Sequence, residues 1–320
     1  MKKSGKFIRT FCLLMTGAAS VIVICNKLIN IFSVAKDRLP IGNGKYYSWR
    51  YGRIYYTKTG KGTPLLLVHD LNSASSSYEW NRVIRQLSRH YTVYALDLLG
   101  CGRSEKPNFT YTNYMYVQLM NSFIKNVIKG KTNVAATGSS LSFVIMACQM
   151  ESENYKKIIG ISPADLSNLS KLPSKKHKII NYLIEIPVIG NLIYNVSMSK
   201  RLIKNKFETD YYYKDYLISD STLQTYYHSA HLENGNGKYL FASICSHYTN
   251  INIIPALRRV NNSIILIGGK DDPAVHNTFE EYTALNPSIE TFYIPNAKYL
   301  PQLETPDKLA GLLNIILQTK

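Results

Sequence analysis

Short, uninterrupted apolar runs alternate with segments of helical spacing along most of this chain, and that rhythm restricts the fold more than any other feature. Pro64-Leu65-Leu66-Leu67-Val68-His69, Thr92 to Leu98, Lys157 to Ile161, Ser263 to Ile267 and Glu290 to Ile294 are each five to seven residues long. Runs of that length without polar alternation suit strands buried on both faces. Tyr78 to Arg89 and Met115 to Ile128 lie between them with helical spacing, and Pro306 to Leu317 is a closing helix. Strands that alternate with helices form βαβ units, so the expectation is an α/β fold with a mostly parallel sheet flanked by helices. Upstream, Tyr46 to Lys58 alternates polar and apolar around Gly52, the pattern of an antiparallel hairpin, and Thr59-Gly60-Lys61-Gly62 is a turn.

One strand–helix junction carries a chemical pattern. In Asn133-Val134-Ala135-Ala136-Thr137-Gly138-Ser139-Ser140-Leu141-Ser142-Phe143, an apolar strand meets Gly138, a serine follows two positions later, and an apolar helix begins. This is the layout of a G-x-S-x-G nucleophile elbow, with Ser142 in place of the last glycine, and it makes Ser140 the expected nucleophile. His69-Asp70-Leu71-Asn72 follows the first buried run, and Asp97-Leu98-Leu99-Gly100-Cys101-Gly102-Arg103-Ser104 follows the second. The latter is not a dinucleotide fingerprint, because Gly100 and Gly102 are followed by Glu105 and not by a third glycine.

With these three motifs in order, the chain resembles the α/β-hydrolase family in its one-domain form, from Tyr46 to Leu317. The resemblance implies an H-G-x-x oxyanion loop at His69 to Asn72, with Trp80 at an aromatic position downstream, and a D-x-x-G-x-G-x-S loop at Asp97 to Ser104. It implies acyl transfer, with the oxyanion held by backbone N–H groups of Leu71 and Leu141. The acidic triad member falls on Asp272, with Asp271 the neighbour it is confused with, and Asp165 is a weaker spare. A helical cap is expected at about residues 166–257, where the strand–helix rhythm breaks, within a hydrolase domain of residues 35–320. The family's catalytic histidine precedes a Leu-Pro-x-x-Glu-like run, here Leu300-Pro301-Gln302-Leu303-Glu304, so Tyr299 stands at the base position.

Two departures bear on chemistry. Asp70 replaces a glycine of the oxyanion loop, and a carboxylate there opposes developing negative charge unless its side chain turns away. A base must accept the serine proton near neutral pH. Imidazole suits this with a pKa near 6.5, whereas a phenol near 10 stays neutral. His276 and His247 are the candidate substitute bases. Two readings stay open: a serine hydrolase of esters or similar acyl substrates using Ser140 and Asp272, and a catalytically inactive hydrolase-fold protein that binds a small ligand or partner beneath its cap. Either occupant is expected to be a small apolar molecule. No cofactor or metal is implied, since no Cys/His cluster has ligand spacing among the five cysteines.

The first 34 residues read as a basic segment and membrane anchor. Lys2, Lys3, Lys6 and Arg9 precede Thr10 to Cys25, sixteen residues without a charge, and apolar character resumes at Leu28 to Phe32. The segment reaches the ~20 residues of a spanning helix, and no A-x-A-like cleavage site follows it. A removed signal peptide and a buried soluble helix are the alternatives. The basic excess before the segment favours a single-pass protein of the cell membrane with its hydrolase domain extracytoplasmic. Net charge is +17, from 38 Lys and Arg against 21 Asp and Glu. That favours anionic surfaces, but no nucleic-acid module is present and no nucleic-acid partner is expected. In the cap, eight basic residues between Ser167 and Lys206 face Glu185 alone, interleaved with apolar pairs such as Ile179-Ile180. The surface they make is either solvated or rests on anionic lipid.

Overall fold

The computed structural model describes residues 2–39 and 44–318, and of the first ten residues and Cys12 it describes no side chains. The charges of Lys2, Lys3, Lys6 and Arg9 therefore lie outside the described residues. The strands are β1 (Lys45–Trp49), β2 (Gly52–Thr59), β3 (Thr63–Val68), β4 (Tyr91–Leu96), β5 (Thr132–Thr137), β6 (Tyr155–Ile161), β7 (Ser263–Gly269) and β8 (Glu290–Ile294). The helices are α1 (Lys2–Ser33), α2 (Asn81–Leu87), α3 (Asn113–Phe123), α4 (Ser140–Met150), α5 (Leu166–Leu169), α6 (Lys175–Glu185), α7 (Ile189–Ser197), α8 (Lys200–Lys206), α9 (Asp220–Gly235), α10 (Gly237–Cys245), α11 (Ile254–Leu257), α12 (Val275–Leu285), α13 (Pro301–Glu304) and α14 (Pro306–Gln318).

Among the described residues the strands form one sheet in the order β1-β2-β4-β3-β5-β6-β7-β8. β1 and β2 pair antiparallel, β2 joins β4 antiparallel, and every pairing from β4 through β3 to β8 is parallel. The alternation of side chains along each strand distributes the apolar runs to two layers. Leu66 and Val68 face Tyr116, Phe123 and Phe143 of α3 and α4, while Leu65 and Leu67 face Val83 and Leu87 of α2 and Leu313 of α14. All four of these strand residues are fully buried, which is why the run reads as continuously apolar.

β4 and β5 lie on opposite sides of β3, so the chain reverses its winding direction there. A crevice opens at such a switch point, outside the carboxyl ends of the strands. Asp70 follows β3 and Gly138 follows β5, which places both at that crevice. The Asp97 loop braces it. Asp97 Oδ1 accepts from the Ser77 N–H at 2.7 Å and Oδ2 from the Arg103 N–H at 2.8 Å, while its carbonyl accepts from Ser104 Oγ at 2.6 Å. Gly102 has φ +49°, and a Cβ there would overlap the Asp97 carboxylate. The loop that carries the most distinctive motif is thus a brace for the chain around residues 69–77.

Between β6 and β7, α5 to α11 form the helical cap over the crevice. Its core contains Tyr194, Phe207, Tyr211, Tyr212 and Tyr226, packed onto Ala74, Leu300 and Leu303 of the body. Tyr211 and Tyr212 are packing residues, whereas Tyr213 and Tyr216 are exposed. α1 lies against the cap along a single face: Asn26 and Ser33 are buried, and Ile22, Ile29 and Asn30 are half-buried. Asn26 Nδ2 donates to the Val188 carbonyl at 3.0 Å, Asn195 Nδ2 donates to Asn26 Oδ1 at 2.9 Å, and Asn30 Nδ2 donates to the Asn234 carbonyl at 3.0 Å. Leu13–Ser33 is long and apolar enough to cross a membrane and is otherwise exposed.

Asp97→Ala leaves two backbone donors without their acceptor. Its expected cost is about 3 kcal/mol of unfolding free energy, read as a lowered denaturant midpoint in detergent-solubilised protein; an unchanged midpoint would contradict the bracing role.

Candidate active site

β5 ends at Thr137 and α4 begins at Ser140, leaving Gly138 and Ser139 to turn the chain. A nucleophile elbow holds its apex residue in a strained conformation above the sheet, and the residue here with positive φ is Gly138, at +58°. Ser139 is already in the right-handed helical region, at φ −67° and ψ −23°. The apex is therefore two residues earlier than the G-x-S-x-G reading implies. The small–x–apex–x–small frame reads Ala136-Thr137-Gly138-Ser139-Ser140.

Ser140, the expected nucleophile, is thereby corrected to a structural role. It is fully buried in the first turn of α4, and its Oγ donates to the His69 carbonyl at 2.7 Å. The reason is conformational: positive φ strains any residue with a Cβ, and glycine adopts it freely. The sequence offers its glycine at 138, and the turn takes it. A Cβ at Gly138 would overlap the Tyr299 hydroxyl and the Asp70 carboxylate. Where an elbow serine would project, those two groups already stand.

Asp70 is the centre of the site. Its Oδ1 accepts from the Leu71 N–H at 2.9 Å, the Ser139 N–H at 3.0 Å and the Ser139 hydroxyl at 3.0 Å. Its Oδ2 accepts from the Tyr299 hydroxyl at 3.0 Å. Leu71 is at the site through its backbone N–H, which is spent on Asp70. Leu141 is not: its N–H points to the Gly138 carbonyl at 3.4 Å, and its side chain is buried against Gly160. With the apex at Gly138, the donor that follows it is Ser139. The two backbone donors that would hold a substrate oxyanion hold a carboxylate of the chain instead.

The surrounding groups complete this arrangement. Glu79, 1% exposed, accepts the Asp70 N–H at 3.1 Å on Oε2 and the Tyr226 hydroxyl at 3.3 Å on Oε1. Burial, reinforced by the charge of Asp70, pushes its pKa up to about 8, so it is protonated at neutral pH. His69 accepts the Leu98 N–H on Nε2 at 2.9 Å, which assigns the proton to Nδ1, 2.7 Å from the Asp70 carbonyl. Burial lowers its pKa and keeps it neutral. Burial, and then the Asp70 charge, hold the Tyr299 phenol well above its ordinary value, so it is a donor and not a base. Tyr211 stacks on it with ring centroids 5.4 Å apart. The register at 299 is held by Glu304, which accepts from the N–H groups of Lys298, Tyr213 and Lys214 at 2.8–3.0 Å.

The two acids after β7 divide their work. Asp271 accepts the Asn296 N–H at 2.8 Å, while Asp272 lines the crevice and accepts the N–H of Ala274 at 2.9 Å in its own turn. Neither candidate substitute base reaches the site. His276 is exposed on α12 and stacks on Tyr293 at 4.7 Å, and His247 lies edge-on to His177 at 4.5 Å in the cap. Among the described residues, no histidine lines the cavity beneath the cap. That cavity is about 590 Å³, with Tyr211, Ile244, Val275 and Phe279 beside Lys206 and Lys298. Among the described residues no group of three His, Cys, Asp or Glu side chains is arranged to hold a metal ion. Gly138, Ser139 and Glu79 were not legible as site residues; the Gly-Ser-Ser triplet, which fits two frames, was the available signal.

A model of the alpha/beta hydrolase family matches residues 65–312. The 2-hydroxy-6-oxo-6-(2'-aminophenyl)hexa-2,4-dienoic acid hydrolase of Metapseudomonas resinovorans is 23% identical over 259 residues, which are 80% of this chain and 84% of that protein. Among solved structures, a serine hydrolase involved in carbazole degradation superposes with a TM-score of 0.71 at 20% identity, covering 87% of this chain and 99% of the other. A meta-cleavage product hydrolase from Pseudomonas fluorescens IP01 superposes with a TM-score of 0.68 at 18% identity, covering 84% and 96%.

Glu79 makes the stability of the site depend on pH. Its carboxyl binds a proton up to about pH 8 when folded but only to about 4.5 when unfolded. Across that interval the folded state holds more protons, so the contribution is whole below the lower value and is lost as pH rises through the upper one. Glu79→Gln keeps an acceptor for the Asp70 N–H without the titration. Wild-type stability relative to this variant is expected to fall by up to about 1.4 kcal/mol per pH unit between roughly pH 5 and 8. Denaturant unfolding of both proteins across that range measures it, and a flat difference would refute it.

Proposed function

The chain belongs to the alpha/beta hydrolase family, and from that premise we propose that it is a membrane-anchored hydrolase-fold protein that binds a small, largely apolar ligand beneath its cap without serine-type hydrolysis. The observation that carries this reading is the Asp70 carboxylate, seated on the N–H groups of Leu71 and Ser139. An oxyanion developing there would meet a resident negative charge in place of donors. Gly138 supplies no nucleophilic atom at the apex, and Tyr299 supplies no base. In serine hydrolases, loss of the nucleophile or the base alone costs on the order of 10⁶ in rate, about 8 kcal/mol of barrier. What the site keeps is a cavity of about 590 Å³, within the range of ligand pockets. The exposed apolar stretch Leu13–Ser33 supports the anchor, and the basic residues before it support an extracytoplasmic body.

A fluorophosphonate probe with a panel of p-nitrophenyl esters tests the reading. The full chain is expected to remain unlabelled and to turn over no ester above background. Labelling that disappears in Ser139→Ala or in Ser140→Ala would overturn it, the former by making Ser139 a nucleophile served by Asp70. In the converse experiment, Asp70→Gly, Gly138→Ser and Tyr299→His combined are expected to create probe labelling that none of the three produces alone. Release of the full chain from membranes by alkaline carbonate would remove the anchor.

A further inference from the structure

The cap has a second surface that the cavity does not explain. α6 and α7 form a hairpin bent by 97° at Ile186-Pro187-Val188. Asn181 and Ile184 turn inward from α6, and Gly190, Tyr194 and Asn195 turn inward from α7. On the outside, Ile179 is 61% exposed, Tyr182 67%, Leu183 43%, Ile189 52% and Val196 56%. Lys175, Lys176 and Lys178 are exposed at the start of α6, with no acidic residue before Glu185. Apolar exposure on that scale marks an interaction site. A basic rim beside it suits anionic headgroups.

The position of the hairpin identifies its occupant. Resting on the reading of α1 as a membrane anchor, we infer that the α6–α7 hairpin is itself immersed in the lipid interface beside α1. The contact is made by Asn26, whose side chain bonds Val188 at the bend and Asn195 of α7. Asn26 lies two turns before Ser33, about 10 Å along the helix axis. Exposed apolar side chains continue on α1 past that level, at Leu28, Ile31 and Phe32, with Lys27 exposed among them, long enough to carry its charge toward the headgroups. The bend of the hairpin therefore sits below the height at which the lipid-facing surface of α1 ends. A bilayer that accommodates α1 cannot exclude the bend, and the outer faces of α6 and α7 continue the apolar surface of the anchor. The inference takes the bent pair as a segment that enters and leaves on one side, the bend of 97° turning α7 away from the direction of α6. Asn26, polar inside an apolar helix, is satisfied by this contact, as a polar group at membrane depth must be.

The test uses the full chain in vesicles of phosphatidylcholine and phosphatidylglycerol, with part of the phosphatidylcholine brominated either near the headgroup or deep in the acyl chain. Tyr182→Trp adds emission on the hairpin, Leu14→Trp adds it near the start of the Leu13–Ser33 stretch, and Tyr46→Trp adds it on the edge strand β1; each is read as the difference from the parent protein. The added emission of Tyr182→Trp is expected to be quenched by brominated lipid, more by headgroup-proximal bromine, with Leu14→Trp quenched as well and Tyr46→Trp unquenched. If Leu14→Trp is quenched and Tyr182→Trp is not, the hairpin inference fails while the anchor stands. A blue-shifted but unquenched Tyr182→Trp would assign the face to a second protein surface and likewise overturn it. If Leu14→Trp is unquenched, the anchor fails and takes the inference with it. Equal quenching of Tyr46→Trp would show adsorption of the whole body, and would also overturn a specific hairpin site.

Discussion

A half-buried carboxylate needs donors, and the side chain of Asp70 draws them from three separate segments of the chain. Leu71 and Ser139 give backbone N–H groups aimed at the crevice, and Tyr299 gives a hydroxyl. Charge-assisted bonds of this kind are roughly twice as strong as neutral ones. The departures from the family pattern then form one arrangement. Gly138 leaves room for the carboxylate and the phenol, Tyr299 remains protonated beside the charge, and Glu79 remains protonated behind it. A side chain at 138 would meet both Asp70 and Tyr299, so these three positions change together or not at all.

The scaffold around this centre is unaltered. The switch point at β3 still opens a crevice, the Asp97 loop still braces it, and the cap still covers a cavity of ligand size. Binding capacity and chemistry are separable here because the fold supplies the first while a few side chains supply the second. The cap also joins the body to α1 through Asn26, Asn30 and their partners. The roof of the cavity is thereby packed directly against α1, through side chains of the helix that bond the cap backbone and Asn195.

Much of the fold was legible because its signals are local. Leu65 to Val68 read as a buried strand since both faces of that strand are covered, and a central parallel strand has no solvent side to mark with polar residues. The D-x-x-G-x-G-x-S loop read correctly because its glycines and its buried carboxylate serve the loop's own geometry. Tyr299 was placed by Leu300 to Glu304, and the structure explains why that run is informative: Glu304 ties the backbone of residue 298 to the cap. The site failed to be legible where two frames fit the same letters. Gly138-Ser139-Ser140 satisfies the elbow pattern with Ser140 as its serine and also with Gly138 at its apex; the glycine's freedom at positive φ favours the second frame, but the groups that fill the space beside it, Asp70 and Tyr299, are distant in sequence.

The sequence by itself determined the α/β architecture, the order of the loops around the crevice, the interruption by a cap and the absence of an imidazole at position 299, since each is written in periodicity or in residue identity. Only the tertiary structure decided which residue occupies the elbow apex, where the Asp70 side chain points and what covers Glu79. Those depend on groups far apart in the chain, Asp70 with Ser139 and Tyr299, Glu79 with Tyr226. Their meeting is set by strand order and packing, which no stretch of sequence contains.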